Sequence, residues 1–331
     1  MILLTGGAGY IGSHMLAALL DSSKDVVVLD NLSTGDIDRV THVCRVNNGA
    51  GSVAFVEGDI RDAALLNHLF DAYPITAVLH LAGLKSISGS TKDPNAYHDN
   101  NVTGSAVLLS AMIRAGVKTM LFSSSMSVYQ HTSGLPVDES TPTHPNNPYS
   151  QSKLDFDNML AAAADGDDTL RLASIRYANP IGTNCPALLD KSQDNLLPTL
   201  SRVIAGKQRA LTVFGGDYAT VDGTAVRDYI HVNDVISAHL SALTYLKRHS
   251  GHHVWNIGSG SSWSVMQIIG MFEHASGKHV RYEIKGARTG DCAAMYVDCI
   301  KAAHDLNWQP QHSVFKAVYS HAVNHNLTAY D

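Results

Sequence analysis

Cysteine is scarce: Cys44, Cys185, Cys292 and Cys299 are the only four in 331 residues, and none stands in a C-x-x-C pair. That spacing suggests neither a zinc knuckle nor a disulfide framework, and a reduced, cytoplasmic setting is the expectation. A basic excess is lacking too, since 24 Lys and Arg stand against 30 Asp and Glu, a formal charge of −6. This balance gives no electrostatic case for nucleic acid or an anionic membrane, so an anionic small substrate has to be met by locally placed Arg or Lys. No apolar run reaches the roughly 18 residues of a membrane helix. Ile2-Leu3-Leu4 already reads as a strand, and no signal or transit peptide is expected. H-E-x-x-H is missing as well. Of the 18 histidines, His321 and His325 at i,i+4 come closest to a ligand pair, so no metal is expected and the histidines read as surface residues.

What is present is an alternation. Hydrophobic residues make up 45% and charged residues 16% of a chain long enough for two domains. Strands are predicted at 2–5, 26–29, 53–56, 77–81 and 119–123, with helices at 12–20, 63–71, 96–115 and 149–164 between and after them. Alternating β and α elements predict an α/β fold, a doubly wound parallel sheet of Rossmann type. After Arg176 loops lengthen and Gly, Asn and Pro become frequent, as in Asn179-Pro180-Ile181-Gly182. Residues 1–178 are therefore expected to form the Rossmann domain. Residues 179–331 should form a smaller, mainly substrate-binding lobe, with 229–246 and 254–257 as candidates to return to the core. The segment 102–113 is apolar on more than one face. One face should cover the sheet, and a helix-to-helix contact in a homodimer is expected for the other, with burial inside a single domain as the alternative.

Gly7-Ala8-Gly9-Tyr10-Ile11-Gly12 matches G-x-G-x-x-G directly between a strand and a helix. In that context the glycines let backbone approach a pyrophosphate, and the helix N-terminus offers free N–H groups. Asp30, eighteen residues beyond Gly12, ends the second strand. A carboxylate there accepts ribose hydroxyls and repels a 2′-phosphate, favouring NAD over NADP. Asp59 ends the third strand and has two readings, a partner for the adenine amino group or a cap for the helix from Ala63.

Tyr149-Ser150-Gln151-Ser152-Lys153 is Y-x-x-x-K, which places Tyr149 and Lys153 on one helical face. A phenol of pKa about 10 is only about one part in a thousand ionised at pH 7. A neighbouring ammonium, with the positive nicotinamide ring, favours the anion and so makes a general base. Ser123-Ser124-Ser125 ends the fifth strand, at the carboxyl edge where such sheets bind ligands.

These motifs, joined by Gly58-Asp59-Ile60-Arg61, Leu81-Ala82-Gly83-Leu84-Lys85, Asn100-Asn101-Val102, Asn195-Leu196-Leu197-Pro198, Phe214-Gly215-Gly216-Asp217-Tyr218, Arg227-Asp228-Tyr229-Ile230-His231-Val232 and Gly290-Asp291, closely resemble the UDP-glucose 4-epimerase branch of the extended short-chain dehydrogenase/reductase family. The resemblance implies Ser125, Tyr149 and Lys153 as the catalytic set. It implies that Gly7, Gly9, Tyr10, Ile11, Gly12, Asp30, Asn31, Asp59, Ile60, Leu81, Ala82, Gly83, Lys85 and Asn100 hold NAD, with Tyr149 and Lys153 beside it. Lys85, Ser125, Tyr149, Asn179, Asn195, Phe214, Arg227, Arg288, Asp291 and Met295 would meet a UDP-sugar. The implied reaction is inversion at C4 of a UDP-hexose through a 4-keto intermediate, with NAD retained.

Three positions depart from that pattern. Ala178 stands where the family usually has an aromatic after Arg-Tyr, and Met295 where bacterial members often carry Tyr. Either the pocket is roomier and admits N-acetylhexosamines, or Met295 repacks locally. Gln130 replaces a usual Gly, and an altered loop is expected over 130–134. A sugar-nucleotide 4,6-dehydratase would want acidic residues after the serine tip, and Ser125 is followed by Met126-Ser127. A UDP-glucuronate decarboxylase or a pentose epimerase is less easily excluded. A dinucleotide-sensing protein without chemistry would typically lack the Tyr–Lys pair.

Overall fold

Runs such as Val26-Val27-Val28-Leu29 have no polar face to offer water, so they form strands buried on both sides. In the computed structural model, which describes residues 1–129, 135–288, 291–325 and 327, seven strands make the main sheet. Their order is Gly251–Ile257, Arg171–Tyr177, Thr119–Ser123, Ala77–His80, Ile2–Thr5, Val26–Asp30, Val53–Glu57. Pairing is parallel from Arg171–Tyr177 through Val53–Glu57. Ile2–Thr5 lies between Val26–Asp30 and Ala77–His80, so the chain runs outward on both sides of it. A switch in winding direction opens a crevice at the carboxyl ends of the strands. Leu3, Val27, Val78, Phe122, Phe156 and Leu160 belong to the core that the helices close over this sheet.

Chain contacts divide into two units. The first takes residues up to 129, 142–176 and 236–255, and the second takes 135–141, 177–235 and 256 onward. In the second, helices Leu196–Ile204, Val265–Ser276 and Val314–Asn324 share a core that includes Leu200, Phe272 and Val318. Three small sheets flank them. Asn179–Ile181 pairs with Tyr229–His231, Leu211–Phe214 with Tyr282–Lys285, and Val226–Arg227 lies between Trp263–Ser264 and Ala294–Met295.

Two expectations need correction, for the helix at 96–115 and for the histidines, and two open readings, at 229–246 and Asp59, are narrowed. The helix predicted over 96–115 is broken into Pro94–His98, a π-helical turn Asp99–Thr103 and Gly104–Arg114. The segment 229–246 is a strand of the second unit, Tyr229–His231, followed by the helix Val232–Leu246, whose residues from 236 belong to the first. The histidines are not all on the surface: His14, His80, His231, His239 and His321 are buried. Asp59 does not cap the helix Ala63–Ala72, because Asp62 accepts from the N–H groups of Ala64 and Leu65 at 3.0 Å each. The expected altered loop at 130–134 lies outside the described residues. On Gly104–Arg114, Leu108, Leu109 and Met112 are buried in the core, while Ala106, Val107 and Ile113 stay partly exposed. Among the described residues no helix is long and apolar enough to cross a membrane, and no group of three or more His, Cys, Asp or Glu is placed to hold a metal ion.

Candidate active site

The glycine loop is built for close backbone approach. Gly6 has φ +73°, and a Cβ at Gly12 would stand 2.0 Å from the Gly6 carbonyl oxygen, so a side chain there would push the loop off the helix. Gly9 caps helix Tyr10–Asp21 in extended conformation with no side-chain hydrogen bond, leaving the first-turn N–H groups to a ligand. The Asp30 carboxylate is held at this loop, accepting from Ala8 N and Leu32 N at 2.9 Å each. Asn31 Nδ2 donates to Asp59 Oδ2 at 2.9 Å, which joins the ends of the second and third strands. Arg61 donates to both Asp59 oxygens and to Asp99 at 2.6 Å, and its guanidinium holds the Asp59 carboxyl well below the usual carboxylate range. Ile60 is buried, and 81–85 form a loop beyond Ala77–His80 with Lys85 exposed at its end. An anion cradle, a fixed carboxylate beyond it and polar loops along the carboxyl edge fit a dinucleotide.

Helix Pro148–Gly166 starts where it does because Asn147 Oδ1 accepts from Ser150 N at 2.9 Å and Pro148 occupies its first turn. Tyr149 and Lys153 thereby face the serine tip of Thr119–Ser123. Ser125 is the polar neighbour of the Tyr149 hydroxyl. Lys153 Nζ donates to Ser123 O at 2.8 Å and lies 5.9 Å from the centre of the Tyr149 ring. Burial pushes the Tyr149 phenol above its ordinary value, and the Ser125 hydroxyl pulls the other way. Burial also draws Lys153 down to about 8, opposed by Asp157. In the protein alone burial, and not the Lys153 charge, decides the Tyr149 phenol, and the nicotinamide charge is the contribution still to be added.

Two residues of this site were given no role by the sequence. Asn101, on the π-helical turn beside Asn100, accepts from Leu84 N at 2.8 Å and from Asn100 Nδ2 at 2.9 Å. Its own Nδ2 donates to Leu84 O at 2.9 Å and Ser152 Oγ at 3.0 Å. It ties the 81–85 loop to the catalytic helix. His80 bridges Thr5 Oγ1 at 2.8 Å and Ser105 Oγ at 2.7 Å, and burial with the Lys153 charge drives it down to about 3, so it is neutral. A histidine ending the apolar run Ala77-Val78-Leu79 was the one available signal.

The second unit assembles the remaining residues. Arg227 Nη2 donates to Asp291 Oδ1 at 2.7 Å, and the Arg288 guanidinium stacks 3.9 Å above the Phe214 ring. Met295 pairs with Arg227 across two short parallel strands and is 5% exposed. Asn179 Nδ2 donates to Asp228 O at 2.7 Å, and Asn195 Nδ2 to Asp190 Oδ2 at 2.6 Å. Arg227, Asp291 and Met295 come together, as do Arg288 and Phe214. Ala178, like Met295, is buried.

The sequence model of the NAD dependent epimerase/dehydratase family matches residues 2–258. A UDP-glucose 4-epimerase of Erwinia amylovora is 41% identical over 313 residues, covering 93% of this chain and 92% of that protein. One from Mus musculus is 41% identical over 316 residues, covering 93% and 91%. The crystal structure of the Stenotrophomonas maltophila UDP-glucose-4-epimerase, with bound NAD and formylated UDP-arabinopyranose, superposes with a TM-score of 0.93 at 39% identity, over 98% of this chain and 97% of that one. The Bifidobacterium longum enzyme in complex with NAD+ and UDP gives 0.93 at 36% identity, again over 98% and 97%. With the match spanning most of its length and both strand-tip motifs in place, the chain belongs to the NAD dependent epimerase/dehydratase family.

Proposed function

We propose that this protein is a UDP-hexose 4-epimerase that interconverts UDP-glucose and UDP-galactose by transient oxidation at C4. The observation that carries the reading is that helix Pro148–Gly166 presents both a buried Tyr149, with Ser125 as its polar neighbour, and a buried Lys153 bonded to the serine tip. Bound NAD supplies the acceptor, and later the donor, of the C4 hydride. Gly7, Gly9, Tyr10, Ile11, Gly12, Asp30, Asn31, Asp59, Ile60, Leu81, Ala82, Gly83, Lys85 and Asn100 would hold it. Tyr149 takes the proton of the C4 hydroxyl, Ser125 orients that hydroxyl, and Lys153 provides positive charge for the phenolate. The 4-keto sugar then turns over, and Tyr149 returns the proton after hydride delivery to the other face. Lys85, Asn179, Asn195, Phe214, Arg227, Arg288, Asp291 and Met295 are assigned to the UDP-sugar. Arginines suit the diphosphate through paired hydrogen bonds, and Asp291 suits a ribose hydroxyl. The sugar itself has to be held loosely, because tight contacts would stop the turn.

The relatives bear the epimerase name over nearly their whole length, which supports this reading. A homodimer in the cytoplasm is proposed with it, the partly exposed Ala106, Val107 and Ile113 being the contact. Incubating the purified protein with UDP-galactose should yield UDP-glucose without added NAD, and no conversion of either sugar would overturn the assignment. Light scattering should give about twice the 35.5 kDa chain mass.

A further inference from the structure

The three serines at the strand tip are stitched one by one to a single face of the catalytic helix. Ser125 meets Tyr149, the Ser123 carbonyl takes Lys153 at 2.8 Å, and the Ser124 hydroxyl donates to Asp157 Oδ2 at 3.1 Å. Residues 149, 153 and 157 are four apart, so they rise along one face of the helix. The first two contacts belong to the proposed chemistry, and the third has no part in it. Asp157 is 2% exposed, and Arg176 Nε donates to the same oxygen at 3.0 Å while Arg176 Nη1 donates to the Tyr129 hydroxyl at 3.1 Å. Asp157 Oδ1 is buried with no hydrogen-bond partner among the described residues.

A buried ammonium is costly unless an anion answers it. Lys153 is 6% exposed, with Phe122 at 4.7 Å beneath it. The titratable groups around it are Tyr149 and Asp157 on its own helix, His80 on Ala77–His80, and Arg176 behind Asp157. Tyr97 acts on Tyr149. Asp157 is the anion that acts on Lys153, and His80 is neutral.

We propose that Asp157 is a positioning residue of the epimerase reaction, fixing the serine tip to the catalytic helix and supplying the anion that keeps the buried Lys153 charged. The inference rests on the reading of Tyr149 and Lys153 given above. Arg176 in turn holds the carboxylate in place and tempers its field. Asp157 pulls Lys153 upward, and against that pull burial still takes it down to about 8.

The test is the pH profile of kcat in the NAD-loaded enzyme. Asp157→Asn should move the alkaline limb down by about one pH unit, because Lys153 then loses its proton sooner. Its KM for the UDP-sugar should stay within about twofold, since no substrate contact is removed. Asp157→Glu, which restores the charge, should return the limb to the wild-type position. A limb that stays put in Asp157→Asn while activity falls at every pH would make the residue merely structural and overturn the proposal, as would a limb that stays low in Asp157→Glu. If Asp157→Asn does not fold, Arg176→Gln decides: it leaves the carboxylate unopposed and should move the limb upward, and an unmoved or lowered limb overturns the proposal. Failure of the underlying reading shows separately, as full turnover in Tyr149→Phe.

Discussion

At Tyr149 the protein spends burial against ionisation, since enclosure raises the phenol while Ser125 alone among its described partners lowers it. A base so placed works only with the full constellation, so Tyr149→Phe should lower kcat by at least about a thousandfold. NAD content, read by absorbance after denaturation, should be unchanged, and comparable turnover would refute the assignment. Met295 supports a second prediction. If the lost ring leaves usable volume, Met295→Tyr should reduce kcat/KM for UDP-N-acetylglucosamine at least tenfold relative to UDP-glucose, a steric discrimination of about 1.4 kcal/mol or more. Equal effects on both sugars would show that Met295 merely repacks. The residues that carry chemistry were legible because each had a local spacing: G-x-G-x-x-G, Y-x-x-x-K, a serine run at a strand end. The roles of Asn101 and His80 were not. Their partners lie 17 to 75 positions away, at Leu84, Ser152, Ser105 and Thr5, and no local pattern encodes such a pairing.

Elements were readable to the extent that one influence decided them. The strands at 2–5 and 119–123 fall where continuous apolar runs put them, because a strand buried on both faces needs nothing else. The helix break at Asp99–Thr103 was not readable. Helical period continues through it, and the turn widens where Asn101 gives its side chain to Leu84 and Ser152. Capping separates two neighbouring aspartates that sequence could not. Asp62→Ala should cost about 1 kcal/mol through loss of the N-cap of Ala63–Ala72. Asp59→Ala breaks a pair with Arg61 that is 44% exposed on the arginine side, so its effect on stability should be smaller. It should instead weaken NAD retention if Asp59 meets the adenine. Thermal melts of the two variants, with and without NAD, distinguish the roles. A larger loss in the apo melt of Asp59→Ala than of Asp62→Ala would reverse them.

For the whole molecule, the buried histidines set the response to acid. Burial takes His14 down to about 4 and both His80 and His321 to about 3, while in the unfolded chain each titrates near 6.5. Their folded values are depressed, so the stability they allow is complete above pH 6.5 and is lost progressively as pH falls toward 3 to 4. Asp228 runs the other way. Enclosed, with Oδ1 accepting from Ser259 N and Oγ at 2.9 Å each, it is pushed up to about 7 by burial, so its folded form holds a proton that the unfolded chain has released above about pH 4. Stability from this group therefore falls as pH rises from about 4 to 7. Three protons against one leave a net of two taken up on unfolding within the shared window, each worth about 1.4 kcal/mol per pH unit as an upper limit. Denaturant unfolding at pH 7.5, 6.0 and 5.0 should therefore show stability dropping with acidification. Asp228→Asn, which keeps the acceptor for Ser259 and cannot ionise, should steepen that drop and gain most above pH 7. A wild-type profile flat between pH 7.5 and 5.0, or a variant no steeper than wild type, would mean that these groups do not sit in the folded protein with the protonation their burial demands.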